Sequence, residues 1–349
     1  DSRPALLWAL FAFVLGAIVY HWLEGWSYLD ALYFCAITLA TVGYGDRFPV
    51  TDAGRLIGTL MIVMGVSLFS VLTSYIATQF MARRKGSGPS ETELLRRLHE
   101  GSLTEIEVAW SDPFGHAAGK RIPAKQFLDR ARHGFAFCEA ALSWNTDGTV
   151  TDGLRLTNWD DGYPDVHAVP DLSTFKPLPW RPGVGHVISD IHKPDGGPSL
   201  LDPRGVLRRV LARLAGLGYT AKIGVEFEFY LLEPDGSPFQ NDIKAYSLEN
   251  ANSLDPLLTD LYETLSAFTR LEGVQTEYGP GQVETNLVYT DALDAADDSA
   301  RLKYAAKEVA RKHGKLASFM PKPFSGQSGS SAHLHISLWQ DGKPAFAPI

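Results

Sequence analysis

Three short stretches place carboxylates and imidazoles at the spacing of an extended chain. In Gly224-Val225-Glu226-Phe227-Glu228-Phe229 the two glutamates lie two residues apart. A strand would put both on one face and Val225, Phe227 and Phe229 on the other. Gln282-Val283-Glu284-Thr285-Asn286 repeats the pattern with Gln282, Glu284 and Asn286, and Ala332-His333-Leu334-His335-Ile336-Ser337-Leu338 repeats it with His333, His335 and Ser337. Glu277 precedes Glu284 across a Gly279-Pro280-Gly281 turn. One such strand describes only a sheet with a solvated face; three at the same period describe a site. Adjacent carboxylates repel unless a cation lies between them or one is protonated. Glu226, Glu228, Glu277, Glu284 and His333 form a set of oxygen ligands plus imidazole suited to Mg²⁺ or Mn²⁺. A different cation chemistry is written in Thr41-Val42-Gly43-Tyr44-Gly45-Asp46. Rings of backbone carbonyls can replace the hydration shell of K⁺. Gly43 and Gly45 allow the backbone angles this needs, and Thr41 can add its hydroxyl. Asp46, just outside, would concentrate cations.

A Gly-rich turn could spell the same hexapeptide, so the flanks decide. Ala5 to Leu23 is almost purely apolar, and Leu56 to Phe80 is uncharged and apolar. Each is long enough for a bilayer core of roughly 30 Å. Trp26 to Ala40 is too short to span and leads directly into the hexapeptide. A secretory signal peptide would have a shorter apolar core and a small-residue cleavage site. Span, short helix, glycine string and span, with Gly54-Arg55 opening the second span, resemble the bacterial two-transmembrane K⁺ channels. The resemblance covers residues 5 to 85 and implies a homotetramer with one filter loop per subunit and K⁺ as the permeant ion. By position Gly65 matches the gating-hinge glycine, with close helix packing as the alternative. Ile37 stands where some relatives carry a carboxylate behind the filter. Arg83-Arg84-Lys85 closes the second span and belongs in the cytoplasm by the positive-inside rule. Both termini are then expected to be cytoplasmic, in a plasma-membrane protein of two spans.

Composition divides the chain at the same place. Residues 1 to 85 hold five acidic and six basic side chains, of 40 and 32 in the whole chain, so the remainder is strongly acidic. An acidic face excludes nucleic acid as a partner. Two cysteines, Cys35 and Cys138, provide no disulfide framework. The run Lys85-Gly86-Ser87-Gly88-Pro89-Ser90 reads as a flexible linker, 86 to 91. Beyond it the pattern predicts a helix over 92–100, a strand over 105–110, a helix after Pro123, and loop over 159–182. Helices are predicted over 203–215, 254–271 and 294–312, the last two separating the three site strands.

The strings around Glu226, Glu277 to Glu284 and Gly329 to Leu338, in that order, resemble the glutamine synthetase family. Phe319-Met320-Pro321-Lys322-Pro323 and Asp165 with Pro170-Asp171-Leu172-Ser173-Thr174 fit the same pattern. The resemblance implies a β-grasp domain, 92 to 200, followed by the first part of an α/β catalytic barrel, 201 to 349. The fold class is thus mixed: an α-helical two-span pore, then an α+β region. Glu228, Glu277 and Glu284 are implied to hold one metal, and Glu226 and His333 a second that orients the γ-phosphate. His335 and Ser337 would face ATP, Gly329 the amino acid, and Asp165 the amine site across a subunit boundary. The implied reaction phosphorylates the γ-carboxylate of glutamate, after which an amine or ammonia attacks the acyl phosphate. Ser328 replaces a common Asn and Ala332 a common Met, and the second and third motifs are worded more like the alkylamine and polyamine branch.

Ile349 follows closely on the third strand, whereas in the family the rest of the barrel supplies another metal carboxylate and the phosphate-binding arginines. The expectation is a K⁺-selective pore fused to a ligase-type module inactive alone. A membrane-tethered ligase and a channel gated by a degenerate ATP or amino-acid sensor are the alternatives. Fourfold pore symmetry and the hexameric rings of the synthetase family would conflict in one assembly.

Overall fold

The computed structural model describes residues 3–39, 45–62, 89–151, 153–155, 158–240 and 245–346, and it divides into two compact units, Asp1–Gly86 and Ser87–Ile349. In the first unit, α1 (Arg3–Glu24) and α2 (Tyr28–Leu39) are followed by helical residues 52–62, α3. Gly25, at φ +66°, ends α1 in the left-handed conformation that glycine adopts without strain. Ser27 caps α2, its hydroxyl accepting the Asp30 amide at 3.1 Å. Tyr20, Phe34, Cys35 and Met61 are buried together, with Tyr20 stacked on Trp26. The Tyr20 hydroxyl donates to the Gly54 carbonyl at 2.9 Å, and a Cβ on Gly54 would lie 2.0 Å from a Glu24 carboxylate oxygen. This close approach explains a glycine at the head of α3.

Among the described residues, no helix is long and apolar enough to cross a membrane. Residues 5–23 are helical as expected, but the polar end of α1 is tied down: His21 bonds the Trp26 carbonyl and Glu24 accepts from the Val50 and Thr51 amides. The two expected membrane spans are thus not found among the described residues. Most of the second expected span, with Gly65, lies outside the described residues, as do Thr41, Val42, Gly43 and Tyr44. Gly45 has φ +75°, and the Asp46 carboxylate accepts the Tyr33 hydroxyl at 2.9 Å.

The second unit opens with α4 (Pro89–His99), then β1 (Glu105–Ser111), β2 (Ala117–Pro123), α5 (Ala124–Ala131), β3 (Phe135–Cys138), β4 (Asp165–Pro177) and β5 (Val184–His192). These strands form one sheet in the order β2-β1-β5-β4-β3, antiparallel except for the β1/β5 pair. Leu94, Ile106, Val108, Phe127, Phe135, Val166 and Ile191 make its core. The loop expected over 159–182 is in large part β4. Val166, Ala168 and Phe175 are buried in that strand, and its pairing with β5 shifts register between Asp171 and Lys176.

After α6 (Pro203–Gly216) come β6 (Thr220–Leu232), α7 (Leu248–Ser253), α8 (Leu257–Phe268), β7 (Leu271–Thr276), β8 (Gln282–Asp291), α9 (Ala292–Lys312), β9 (Leu316–Ser318), β10 (Ala332–Gln340) and β11 (Lys343–Pro344). The second sheet runs β11-β10-β6-β8-β7, with β9 also on β6, and every pairing is antiparallel. Its core joins Val225, Phe229 and Val283 to Leu261, Leu265 and Phe268 of α8 and Leu302 and Val309 of α9.

An ionic clamp fastens the two sheets through α6 and α9. Asp202 caps α6 by accepting the Arg204 amide, which fixes where the Arg204 side chain emerges. Arg204 donates to both oxygens of Asp297 on α9 at 2.9 Å, to Asp190 on β5 at 2.6 Å and to Asp171 on β4 at 3.1 Å. Arg208 repeats the bonds to Asp171 and Asp190. Removing one partner from a buried ion network costs roughly 3–5 kcal/mol, because the other charges stay buried. Arg204→Met is expected to lower the melting temperature of the second unit by about 2–4 °C per kcal/mol, read by thermal unfolding; an unchanged melting curve would show that the clamp adds no stability.

Candidate active site

The register of the second sheet brings the sequence-picked carboxylates together. Glu228 on β6 lies directly opposite Glu284 on β8, and Glu226 opposite His333 on β10. Because Val225 and Phe229 point into the core, Glu226 and Glu228 stand on the other face. Glu277 joins them from the turn before β8. That turn closes through the Glu277 amide, which donates to the Gln282 carbonyl at 2.9 Å. A Cβ on Gly279 would sit 1.9 Å from the Tyr230 hydroxyl oxygen, so only glycine fits there. Tyr230 in turn donates to the Ser328 carbonyl at 2.7 Å, tying the turn to the loop before β10.

Each carboxylate has a protein partner. Glu226 meets both imidazoles, with His335 Nε2 at 3.1 Å and His333 Nδ1 at 3.3 Å. Glu228 accepts the Ser331 hydroxyl at 2.5 Å and the Gln282 amide at 3.2 Å. Glu284 accepts from Gln275 on β7 at 3.0 Å. Among the described residues, no group of three or more His, Cys, Asp or Glu side chains is arranged closely enough to hold a metal ion. The chemistry of the donor set nonetheless fits a hard divalent cation. Burial, and then the negative charges of Glu277, Glu226 and Glu228, push the Glu284 carboxyl up to about 7. Four carboxylates thus act electrostatically on one spot, which is where a cation gains most.

The remaining expected residues divide. Gly329 belongs to the site: its carbonyl accepts Gln282 Nε2 at 2.9 Å, and a Cβ there would come within 2.9 Å of the Pro321 carbonyl. His335 faces Glu226, whereas Ser337 accepts the Trp339 indole N–H at 2.9 Å, further along β10. Asp165 is exposed at the start of β4 on the other sheet and takes no part in the carboxylate cluster. Three participants escaped the sequence reading. Ser331 and Gln275 become visible only through cross-strand register. Tyr246, at φ +58°, has its hydroxyl pKa raised by Glu277 first and also by Glu284 and Glu226.

An antiparallel sheet thus lines one face with glutamates and histidines and packs its other face on α8 and α9. Residues 200–348 match the family model described as glutamine synthetase, catalytic domain. Residues 7–82 match a second family model, described as ion channel. Among curated proteins, the chain is 36% identical over 264 residues to a glutamate–isopropylamine ligase of Pseudomonas sp., covering 72% of this chain and 58% of the relative. It is 34% identical over 269 residues to a gamma-glutamylethanolamide synthetase of Streptomyces coelicolor, covering 73% and 58%. Among solved structures, a GmaS/ADP complex superimposes with a TM-score of 0.65 at 31% identity, covering 73% of this chain and 58% of that one. The chain therefore spans a little over half the length of the relatives it matches.

The raised Glu284 carboxyl has a pH consequence. Its folded pKa, about 7, exceeds the ordinary 4.5, so folding favours the protonated form. This contribution to stability is complete below about pH 4.5 and is lost as pH rises through 7. In metal-free buffer the melting temperature is expected to fall between pH 5 and pH 8. Glu284→Gln, which stays neutral, is expected to flatten that slope; a slope equal to the wild type's would remove Glu284 as its source.

Proposed function

We propose that the second unit acts as a γ-glutamyl-amine ligase of the glutamine synthetase type, using ATP, glutamate and a small amine. The observation that carries this reading is the convergence of Glu226, Glu228, Glu277 and Glu284, with His333, on one face of the β6/β8/β10 sheet. Glu228, Glu277 and Glu284 would hold one Mg²⁺ or Mn²⁺, and Glu226 and His333 another. When bound, such cations supply charge neutralisation at the transferring phosphoryl oxygens. The chain's own residues do the rest. Gln282 fixes Glu228 and the Gly329 carbonyl relative to each other, so the loop before β10 is held against the carboxylates. His335 and Ser337 face the nucleotide side of β10 in this reading, Gly329 meets the glutamate backbone, and Asp165 serves the amine site of a neighbouring subunit in a ring-type oligomer. The γ-carboxylate oxygen of glutamate attacks the γ-phosphorus of ATP and releases ADP. The amine nitrogen then attacks the acyl carbon, loses a proton and expels phosphate.

The relatives' names support an organic amine over ammonia as the acceptor: one is an isopropylamine ligase and another an ethanolamide synthetase. Titration with Mn²⁺ followed by electron paramagnetic resonance tests the site. Saturable binding is expected, weakened at least tenfold by Glu284→Gln and by Glu228→Gln. Wild-type affinity in both variants would overturn the assignment. Competition of isopropylamine, ethanolamine and ammonia in the same sample then ranks the amine.

The ion-channel match over residues 7–82 favours a second reading for the first unit, a tetrameric K⁺ pore in which Thr41 to Asp46 form the filter and Gly65 the hinge. In liposomes carrying the full chain, K⁺ flux exceeding Na⁺ flux is expected, with Gly43→Ala abolishing it. Equal flux of the two ions, or none, would refute that reading.

A further inference from the structure

The hydroxyl of Ser331 lies between side chains that the ligase reading gives to two different cations. It donates to Glu228 Oε1 at 2.5 Å, and its oxygen stands 3.2 Å from His333 Nε2. Glu228 belongs to the first ligand group and His333 to the second, so one small side chain meets both. Strand register explains the position. Ala332 pairs with Phe227 and His333 with Glu226. One residue earlier, the Glu228 amide donates to the Ser331 carbonyl at 3.0 Å, which extends the β10/β6 ladder by one bond. Ser331 is thereby held beside Glu228 where the loop 321–330 enters β10.

An ionised carboxylate offers about four lone pairs. Glu228 Oε2 accepts the Ser331 amide at 3.3 Å and Gln282 Nε2 at 3.2 Å, while Oε1 accepts the Ser331 hydroxyl. The Oε1 lone pair that remains for a cation is therefore aimed by where Ser331 and Gln282 stand. His333 is held from both ends, since its Nδ1 is 3.3 Å from Glu226 Oε2 while Nε2 faces Ser331. Metal ligands are oriented by such hydrogen-bonding partners, whose loss costs roughly 10–100-fold in metal affinity. Gln282 Nε2 also holds the Gly329 carbonyl at 2.9 Å, and the Ser330 amide closes the loop on the Pro321 carbonyl at 2.8 Å. The loop thus has anchors of its own besides the Ser331 hydroxyl. We propose that Ser331 is a positioning residue that couples the two cation positions, a single hydroxyl aiming both Glu228 and His333. The inference rests on the ligase reading of the carboxylate cluster. Alanine at 331 keeps both backbone bonds to Glu228 and removes only the partner that the two ligands share; threonine keeps the hydroxyl.

Mn²⁺ is the probe, titrated into the full chain and followed by electron paramagnetic resonance. The wild type is expected to bind saturably at two positions. Ser331→Ala is expected to weaken both at least fivefold, and Ser331→Thr to stay within about twofold of the wild type. Amide hydrogen exchange over residues 322–330 in metal-free buffer gives a second readout, expected to be alike in wild type and Ser331→Ala because the other anchors remain. Unchanged or tighter Mn²⁺ binding in Ser331→Ala overturns the coupling and leaves the carboxylate assignment standing. So does a loss confined to one position. A loss that threonine does not rescue, or that comes with faster exchange in the loop, is a structural effect and overturns it as well. Absence of saturable binding to the wild type instead removes the carboxylate assignment itself, and this proposal with it.

Discussion

The register of β6 between β8 and β10 is the constraint on which the second unit depends. Side chains alternate along a strand, so a slip of one residue would turn Glu226 and Glu228 into the core and Val225, Phe227 and Phe229 out to solvent. The apolar half of that alternation is buried against α8 and α9, which sets the register without help from the carboxylates. The carboxylates are thereby held together against their mutual repulsion, and Glu284, at the centre, shows the strain as a raised proton affinity. Packing on one face supplies the stability that crowded charge on the other consumes.

That arrangement also needs a stable second layer, because α9 continues directly from β8 through Asp291 and Ala292. The Arg204 clamp holds α9 to the first sheet through Asp297, while Arg301 on the same helix reaches the Thr174 carbonyl. The Tyr304 hydroxyl adds a bond to Glu107 on β1 at 3.1 Å. One face of α9 thus carries apolar side chains to the site-bearing sheet, and another carries ionic contacts to the first. Polar groups between the layers are mostly satisfied by each other.

Periodicity made the site strands legible. Alternating Glu and Phe at 225–229, and alternating His and Leu or Ile at 333–336, can be read without coordinates because a strand has a period of two. The helices at 203–216 and 292–312 were legible for the corresponding reason. β4 was not: Pro170 and Pro177 and the clustered aspartates argue for loop, and a bulge paired on both sides overrides them. The long predicted helix ending at Leu271 was also too long, since Pro256 delays its start and Thr269 is already extended. In the first unit, the polar end of α1 is held by Gly54, Val50 and Thr51, contacts that hydropathy along the chain does not register.

By itself the amino-acid sequence determined which glutamates and histidines share a strand face, the family resemblance over residues 200–348, and the division of the chain near residue 86. Those properties reside in local spacing and composition. Tertiary structure alone decided which groups meet: Glu228 with Glu284, Glu226 with both histidines, Ser331 with Glu228, and Asp165 with none of them. These pairings join residues from 56 to 109 positions apart in the chain. Only sheet register and the docking of α9 bring such distant residues within hydrogen-bonding range, and neither is written in any local pattern.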